Sequence, residues 1–161
     1  MEYIDSLTDG DEGCFLCRCR DSQDGDAANL VLWRGATSFA VLNRFPYTGG
    51  HSLVAPLEHL AGLADLDEAT MVEMFQMLRD LQIVISLAIN AQGFNVGINL
   101  GRCAGAGLPG HLHAHVVPRW AGDTNFMPVL SGTRVIPMAL ERLHAQLRQE
   151  AGRLDLPWQM K

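Results

Sequence analysis

The residues with the densest chemistry are His111, His113 and His115, which alternate with Leu112, Ala114 and Val116 and run on into Val117, Pro118 and Arg119. Strict alternation is a strand signature, because successive side chains leave a pleated backbone on opposite faces. His111, His113, His115 and Val117 then share one face, and Leu112, Ala114 and Val116 share the other, which reads as core. Histidine is only intermediate in burial preference and needs partners when buried, so three imidazoles in a row point to a site. Same-face neighbours on a strand stand about 6.5 Å apart, which puts His111 and His115 roughly 13 Å apart. Zinc–nitrogen bonds are only about 2 Å long, so one ion takes two adjacent members at most. The three roles must divide.

His-x-His-x-His followed by two apolar residues resembles the motif of the histidine triad (HIT) family. Further blocks are similar to its diadenosine tetraphosphate phosphorylase-like branch: Cys14-Phe15-Leu16-Cys17, Asn43-Arg44-Phe45-Pro46-Tyr47, Gly50-His51, Gly93-Phe94-Asn95-Val96-Gly97 and Pro118 to Phe126. Together they span roughly residues 14 to 150 in order. The resemblance implies a nucleotide hydrolase or transferase with the HIT-like α+β fold, working as a homodimer.

The elements that must position these residues follow from pattern. Residues 1–13 hold Glu2, Asp5, Asp9, Asp11 and Glu12 without Lys or Arg, and read as a loose acidic leader. Short strands are predicted over 30–34 and 37–43, joined at Gly35, and from His51 to Ala55, stopping at Pro56. Met71, Met74, Leu78, Leu81, Ile85 and Ala88 recur at three- and four-residue steps and predict a long helix from Asp67 to Ala91, capped by Asp67 and stopped before Gly93. Its methionines at 71, 74 and 77 read as core or partly covered packing. A fourth strand, Phe94 to Leu100, leads through a glycine-rich segment into the triad strand, and a last helix starts near Pro137. The expected architecture is a five-stranded antiparallel sheet with a long helix and a C-terminal helix, within one domain over 14–153 and a tail over 154–161.

Cys14-x-x-Cys17 has the spacing at which two thiolates reach one zinc ion, but it is only half a site. His59 and His111 are the candidates to complete it, with Cys19 as a rival to Cys17, and a pair of plain thiols or a redox dithiol as the other readings. Zinc-containing HIT proteins resemble this pattern, with a histidine three residues after the proline that ends the third strand. The resemblance therefore implies one structural zinc at Cys14, Cys17, His59 and His111.

Cleavage at an α-phosphate needs a nucleophile, stabilisation of charge on the phosphoryl oxygens and a proton for the leaving group. Neutral imidazole supplies the first near pH 7 and can form a covalent intermediate. The central position and the motif match make His113 the nucleophile, with its other ring nitrogen held by a backbone carbonyl, in the glycine-rich loop for instance. His115 faces the phosphate and assists proton transfer. The resemblance places His51 beside the nucleophile as a hydrogen-bonding partner and likens Asn43 to a ribose-contacting asparagine. Asn99 offers an amide to phosphate, and Gly105 and Gly107 permit close backbone approach, although no Walker sequence follows. Several relatives have a hydroxyl or amide where this chain has Gly107, Leu108, Pro109 and Gly110, so the resemblance implies a missing side-chain phosphate donor. Arg119 reads as an ion-pair or strand-end residue, and Trp158 as core or as a residue reaching a partner's site.

The expected activity is hydrolysis of dinucleoside polyphosphates at the α-phosphate through a nucleotidyl-histidine. The alternatives are phosphorolysis and a nucleotide-binding adaptor without turnover; a metallohydrolase fits the span of the triad poorly. A formal net charge of −6 argues against a nucleic acid polymer as partner. No apolar run approaches the ~20 residues of a membrane helix and the N-terminus is acidic, so a cytoplasmic, membrane-free protein is expected.

Overall fold

Five runs of β-forming sequence pair into one antiparallel sheet in the computed structural model, which describes residues 13–123 and 139–160. The strands are β1 (Val31–Arg34), β2 (Ser38–Leu42), β3 (Ser52–Pro56), β4 (Gly93–Ile98) and β5 (Ala114–Arg119), in the order β1-β2-β3-β5-β4. The helices are α1 (Phe15–Asp21), α2 (Glu68–Ile89) and α3 (Leu140–Arg153). The α+β architecture expected from the sequence is the one observed. The start of the last helix near Pro137 and nearly all of the acidic leader lie outside the described residues.

The long helix α2 begins where Asp67 accepts the Thr70 amide at 2.7 Å, and ends where Asn90 turns left-handed at φ 52°. Asparagine tolerates that conformation, so the helix stops before Gly93 instead of running to Ala91. Met74, Met77, Leu78, Leu81, Val84 and Ile85 pack into the sheet. Met71 departs from the expected packing and is exposed. Glu73 ties the helix to the β1–β2 connection: its carboxylate accepts the amides of Ala36, Thr37 and Ser38 at 2.7–2.9 Å and the Thr37 hydroxyl at 3.0 Å. Gly35 leaves room beside it, since a Cβ there would press on the ends of the Glu73 and Met77 side chains.

The triad strand is shorter than its alternation suggests. β5 starts at Ala114, opposite Val54. Upstream of it the Leu112 amide turns away to the Leu60 carbonyl, and β3 has reached Pro56, which has no N–H to offer. Within β5 the expected core face persists, with Ala114 and Val116 in the hydrophobic core, while Leu112 ahead of it is buried outside that core cluster.

At the other side of the sheet, the tail bridges Gln159 to Arg34 through two backbone hydrogen bonds of 2.8 Å, and Trp158 donates its indole N–H to buried Asp80 at 3.0 Å. His144 of α3 donates from Nε2 to the Val31 carbonyl at 2.7 Å. Among the described residues, no helix is long and apolar enough to cross a membrane.

Candidate active site and metal centre

His111 joins two clusters. Its ring Nε2–H donates to the Pro56 carbonyl at 2.9 Å, which leaves the Nδ1 lone pair pointing to Cys14 Sγ at 3.2 Å and Cys17 Sγ at 3.5 Å. Cys17 Sγ also lies 3.2 Å from His59 Nδ1, and the four ligand atoms lie within 4.8 Å of one another. Cys14 sits at the N-cap of α1, so the Cys17 amide points at its sulfur, 3.5 Å away. A tetrahedral zinc ion with bonds of about 2.3 Å to sulfur and about 2.0 Å to nitrogen holds its ligand atoms some 3.5 Å apart. Two thiolates and two neutral imidazoles also cancel the ion's charge, which suits a site where Cys14, Cys17 and His111 are buried. The cluster fits one zinc ion. Cys19, the rival ligand, instead directs its sulfur to the Asn29 carbonyl at 3.8 Å.

The same His111 serves the second cluster through its main chain. The His113 Nδ1–H donates to the His111 carbonyl at 2.8 Å, which turns the Nε2 lone pair outward. The expected carbonyl therefore exists, but it belongs to the residue two positions upstream and not to the glycine-rich loop. His113 is buried, and burial lowers its pKa from the usual imidazole value, keeping it neutral.

His51 meets His115 rather than His113. Its Nε2 lies 3.0 Å from His115 Nδ1, while its Nδ1 receives the Tyr47 amide at 3.1 Å and the Asn43 side-chain amide at 3.3 Å. Two donors at Nδ1 make that nitrogen an acceptor, so the His51 proton is on Nε2 and donates to His115. His115 then has its own proton on Nε2. Burial, followed by the neighbouring imidazoles His115 and His113, lowers the His51 pKa to about 3. Burial and His113 lower that of His115 to about 4.

Asn99, just past β4, places Nδ2 3.5 Å from His115 Nε2 and 3.4 Å from the Gly105 carbonyl. Two N–H groups thus face a common space beside His113, whose ring centroid is 5.0 Å from that of His115. Converging donors next to an outward lone pair suit an anionic oxygen on an electrophilic phosphorus. Gly105 has φ +89° and gives its amide to the Arg102 carbonyl at 3.0 Å, so it supplies the turn and not a free donor. Gly107 is exposed, and a Cβ there would meet nothing within 4 Å. Asn43 is engaged locally, accepting the Phe45 amide at 2.9 Å. Arg119 pairs with Asp123 at 2.7 Å and Asn95 at 3.0 Å.

The structure therefore gathers His113, His115 and Asn99 around one space, with His51 and then Asn43 linked behind His115 and Gly105 behind Asn99, and Cys14, Cys17, His59 and His111 around the other, while Gly107 stays at the surface. Sequence reasoning gave no role to Tyr47, whose amide meets His51 and whose ring stacks on it with centroids 4.6 Å apart. Its position in the block Asn43 to Tyr47, just ahead of His51, was the available signal.

Comparison with known proteins agrees. Residues 25–122 match the HIT domain. The chain is 41% identical over 131 residues to the AP-4-A phosphorylase of Mycobacterium tuberculosis strain H37Rv, spanning 81% of this chain and 67% of that protein. It is 36% identical over 93 residues to the asymmetrical bis(5'-nucleosyl)-tetraphosphatase of Schizosaccharomyces pombe, spanning 58% and 50%. The crystal structure of a zinc-bound histidine triad family protein from Mycobacterium smegmatis superposes with a TM-score of 0.72 at 30% identity, covering 91% of this chain and 98% of that one. With the triad, the fold and the relatives in agreement, the chain belongs to the HIT domain family.

Proposed function

We propose that this enzyme cleaves dinucleoside polyphosphates at an α-phosphate by nucleotidyl transfer through His113. The observation that carries the reading is the hydrogen bond from His113 Nδ1 to the His111 carbonyl, which leaves Nε2 as a neutral, directed nucleophile. His113 Nε2 attacks the α-phosphorus, and the bond from phosphorus to the bridging oxygen breaks. His115 Nε2–H gives a hydrogen bond to the departing oxygen, which leaves as a polyphosphate anion, and Asn99 stabilises charge on the equatorial oxygens. An acceptor oxygen then attacks phosphorus and the P–N bond breaks, restoring His113. Residues 14–153 form the catalytic unit, with Asn43 and Gly107 lining the nucleotide's approach.

Inorganic phosphate is the acceptor favoured by the relative named AP-4-A phosphorylase, which is 41% identical to this chain; water is the second reading, favoured by the relative named as a tetraphosphatase. Products from diadenosine tetraphosphate decide between them. ATP plus ADP formed only with phosphate means phosphorolysis, and ATP plus AMP formed without it means hydrolysis. No product in either arm refutes the proposed activity on this substrate.

Zinc at Cys14, Cys17, His59 and His111 supplies a structural cross-link between α1, the segment after β3 and the start of the triad. A reducing cytoplasm suits its thiolates. The working form is a homodimer, supported by an apolar stripe on the outer face of α2, where Phe75 is 70% exposed and Val72, Ile83 and Leu87 are exposed with it.

A further inference from the structure

Tyr47 holds an unusual place at the site. Its ring stacks on His51 at 4.6 Å between centroids and 28° between planes, and extends over His115 at 6.1 Å and 21°. His51 and His115 are themselves 5.2 Å apart. One face of the phenol ring thus lies along the pair whose hydrogen bond fixes the His115 tautomer. The residue as a whole is 57% exposed.

We infer that Tyr47 is a positioning residue for the proposed reaction, its ring shielding the His51–His115 hydrogen bond from water so that His115 keeps the Nε2 proton aimed at the leaving group. This rests on the nucleotidyl-transfer reading of the site. The physical reason is competition. A water molecule reaching His115 Nδ1 can replace the His51 donor, freeing the imidazole to rotate or to exchange its proton between nitrogens. A flat, apolar ring face against both imidazoles removes that competitor and limits the tilt between them. The phenol hydroxyl has no part in this role, and the backbone amide that holds His51 Nδ1 survives substitution. Among the described residues, the titratable groups facing the pair are the two rings themselves and His113, all neutral, and Asn43 and Asn99 beside them carry no charge.

The test compares wild type, Tyr47→Ala and Tyr47→Phe by steady-state kinetics on diadenosine tetraphosphate and by imidazole 15N spectroscopy of the free proteins. Tyr47→Ala is expected to lower kcat on the order of ten- to a hundredfold with KM little changed, and Tyr47→Phe to restore most of it. In the spectra, wild-type His115 shows an unprotonated Nδ1 and a protonated Nε2, whereas in Tyr47→Ala the two signals move toward each other. A raised KM with unchanged kcat would instead make the ring a nucleobase platform and overturn the inference. So would unaltered kinetics with unaltered imidazole signals. If wild type does not turn over this substrate, the activity proposal fails alone, because the spectra still read the tautomer. Should Tyr47→Ala not fold, Tyr47→Leu provides the same loss of a planar ring with more cover.

Discussion

Single atoms at this site have assigned jobs because each imidazole has one nitrogen already committed. His113 gives Nδ1–H to the His111 carbonyl, and His51 accepts the Tyr47 amide at Nδ1. His113→Ala is accordingly expected to lower turnover by at least about a thousandfold while the fold survives, because the other ring nitrogen facing that space, His115 Nε2, carries a proton and has no lone pair to attack with. Asn99→Ala should cost on the order of ten- to a hundredfold in kcat through loss of one donor. Both are checked by product formation from diadenosine tetraphosphate with thermal denaturation as a control. His111 is spent twice, with its ring in the metal cluster and its carbonyl on His113. Removing zinc with a chelator, or making Cys14→Ser, is therefore expected to lower the melting temperature and activity together, with re-added zinc restoring both in the wild type. Activity that persists in stably folded, metal-free protein would separate the two clusters. The alternation around the triad and the Cys-x-x-Cys spacing made these residues visible in sequence. The Pro56 carbonyl and the pairing of His51 with His115 were not visible, since they depend on how β3 and β5 are registered.

Elements matter here through what they pin in place. The Glu73 carboxylate of α2 accepts three consecutive amides at the β1–β2 connection, from Ala36, Thr37 and Ser38. Glu73→Ala leaves those donors to water or to nothing, and should destabilise the protein by about 2–3 kcal/mol with the kcat of the folded fraction unchanged. Urea denaturation beside single-substrate kinetics checks both halves of that expectation. The periodicity of Met74, Leu78, Leu81 and Ile85 announced the helix, and Asp67 announced its start. Nothing in a one-dimensional pattern says that Glu73 points back to a turn 35 to 37 residues upstream. Likewise, the run from His111 looked like a longer strand than β5, because alternation reports side-chain faces and not where the partner strand runs out of donors.

Considered as a whole, the molecule buries His51, His113 and His144 and keeps them neutral together with half-buried His115. In the unfolded chain these rings titrate near pH 6.5; in the folded protein His51 and His115 titrate at about 3 and about 4. Between those limits the unfolded state binds more protons, so stability is full above pH 6.5 and declines as pH falls toward 4. Urea midpoints taken at pH 7, 5.5 and 4.5 with zinc in excess should decrease in that order, and a constant midpoint would mean that the rings are solvated. The apolar stripe on α2 belongs to the same scale. Phe75→Asp is expected to convert a sedimenting dimer into monomer, and a wild type that already sediments as monomer would contradict the proposed assembly.

The backbone at the two ends of the sheet is not equivalent. At β1, the Arg34 amide and carbonyl are taken by Gln159 and the Val31 carbonyl by His144. At β4, Val96 and Gly97 are exposed at the opposite margin. Growth of a sheet from copy to copy needs two available margins per copy, one to receive and one to offer. This chain has spent one of them on itself. Any pairing through β4 therefore uses the same margin of both copies, related by a two-fold axis, and terminates there. The Gln159 bridge thus covers the β1 margin against addition of a further strand.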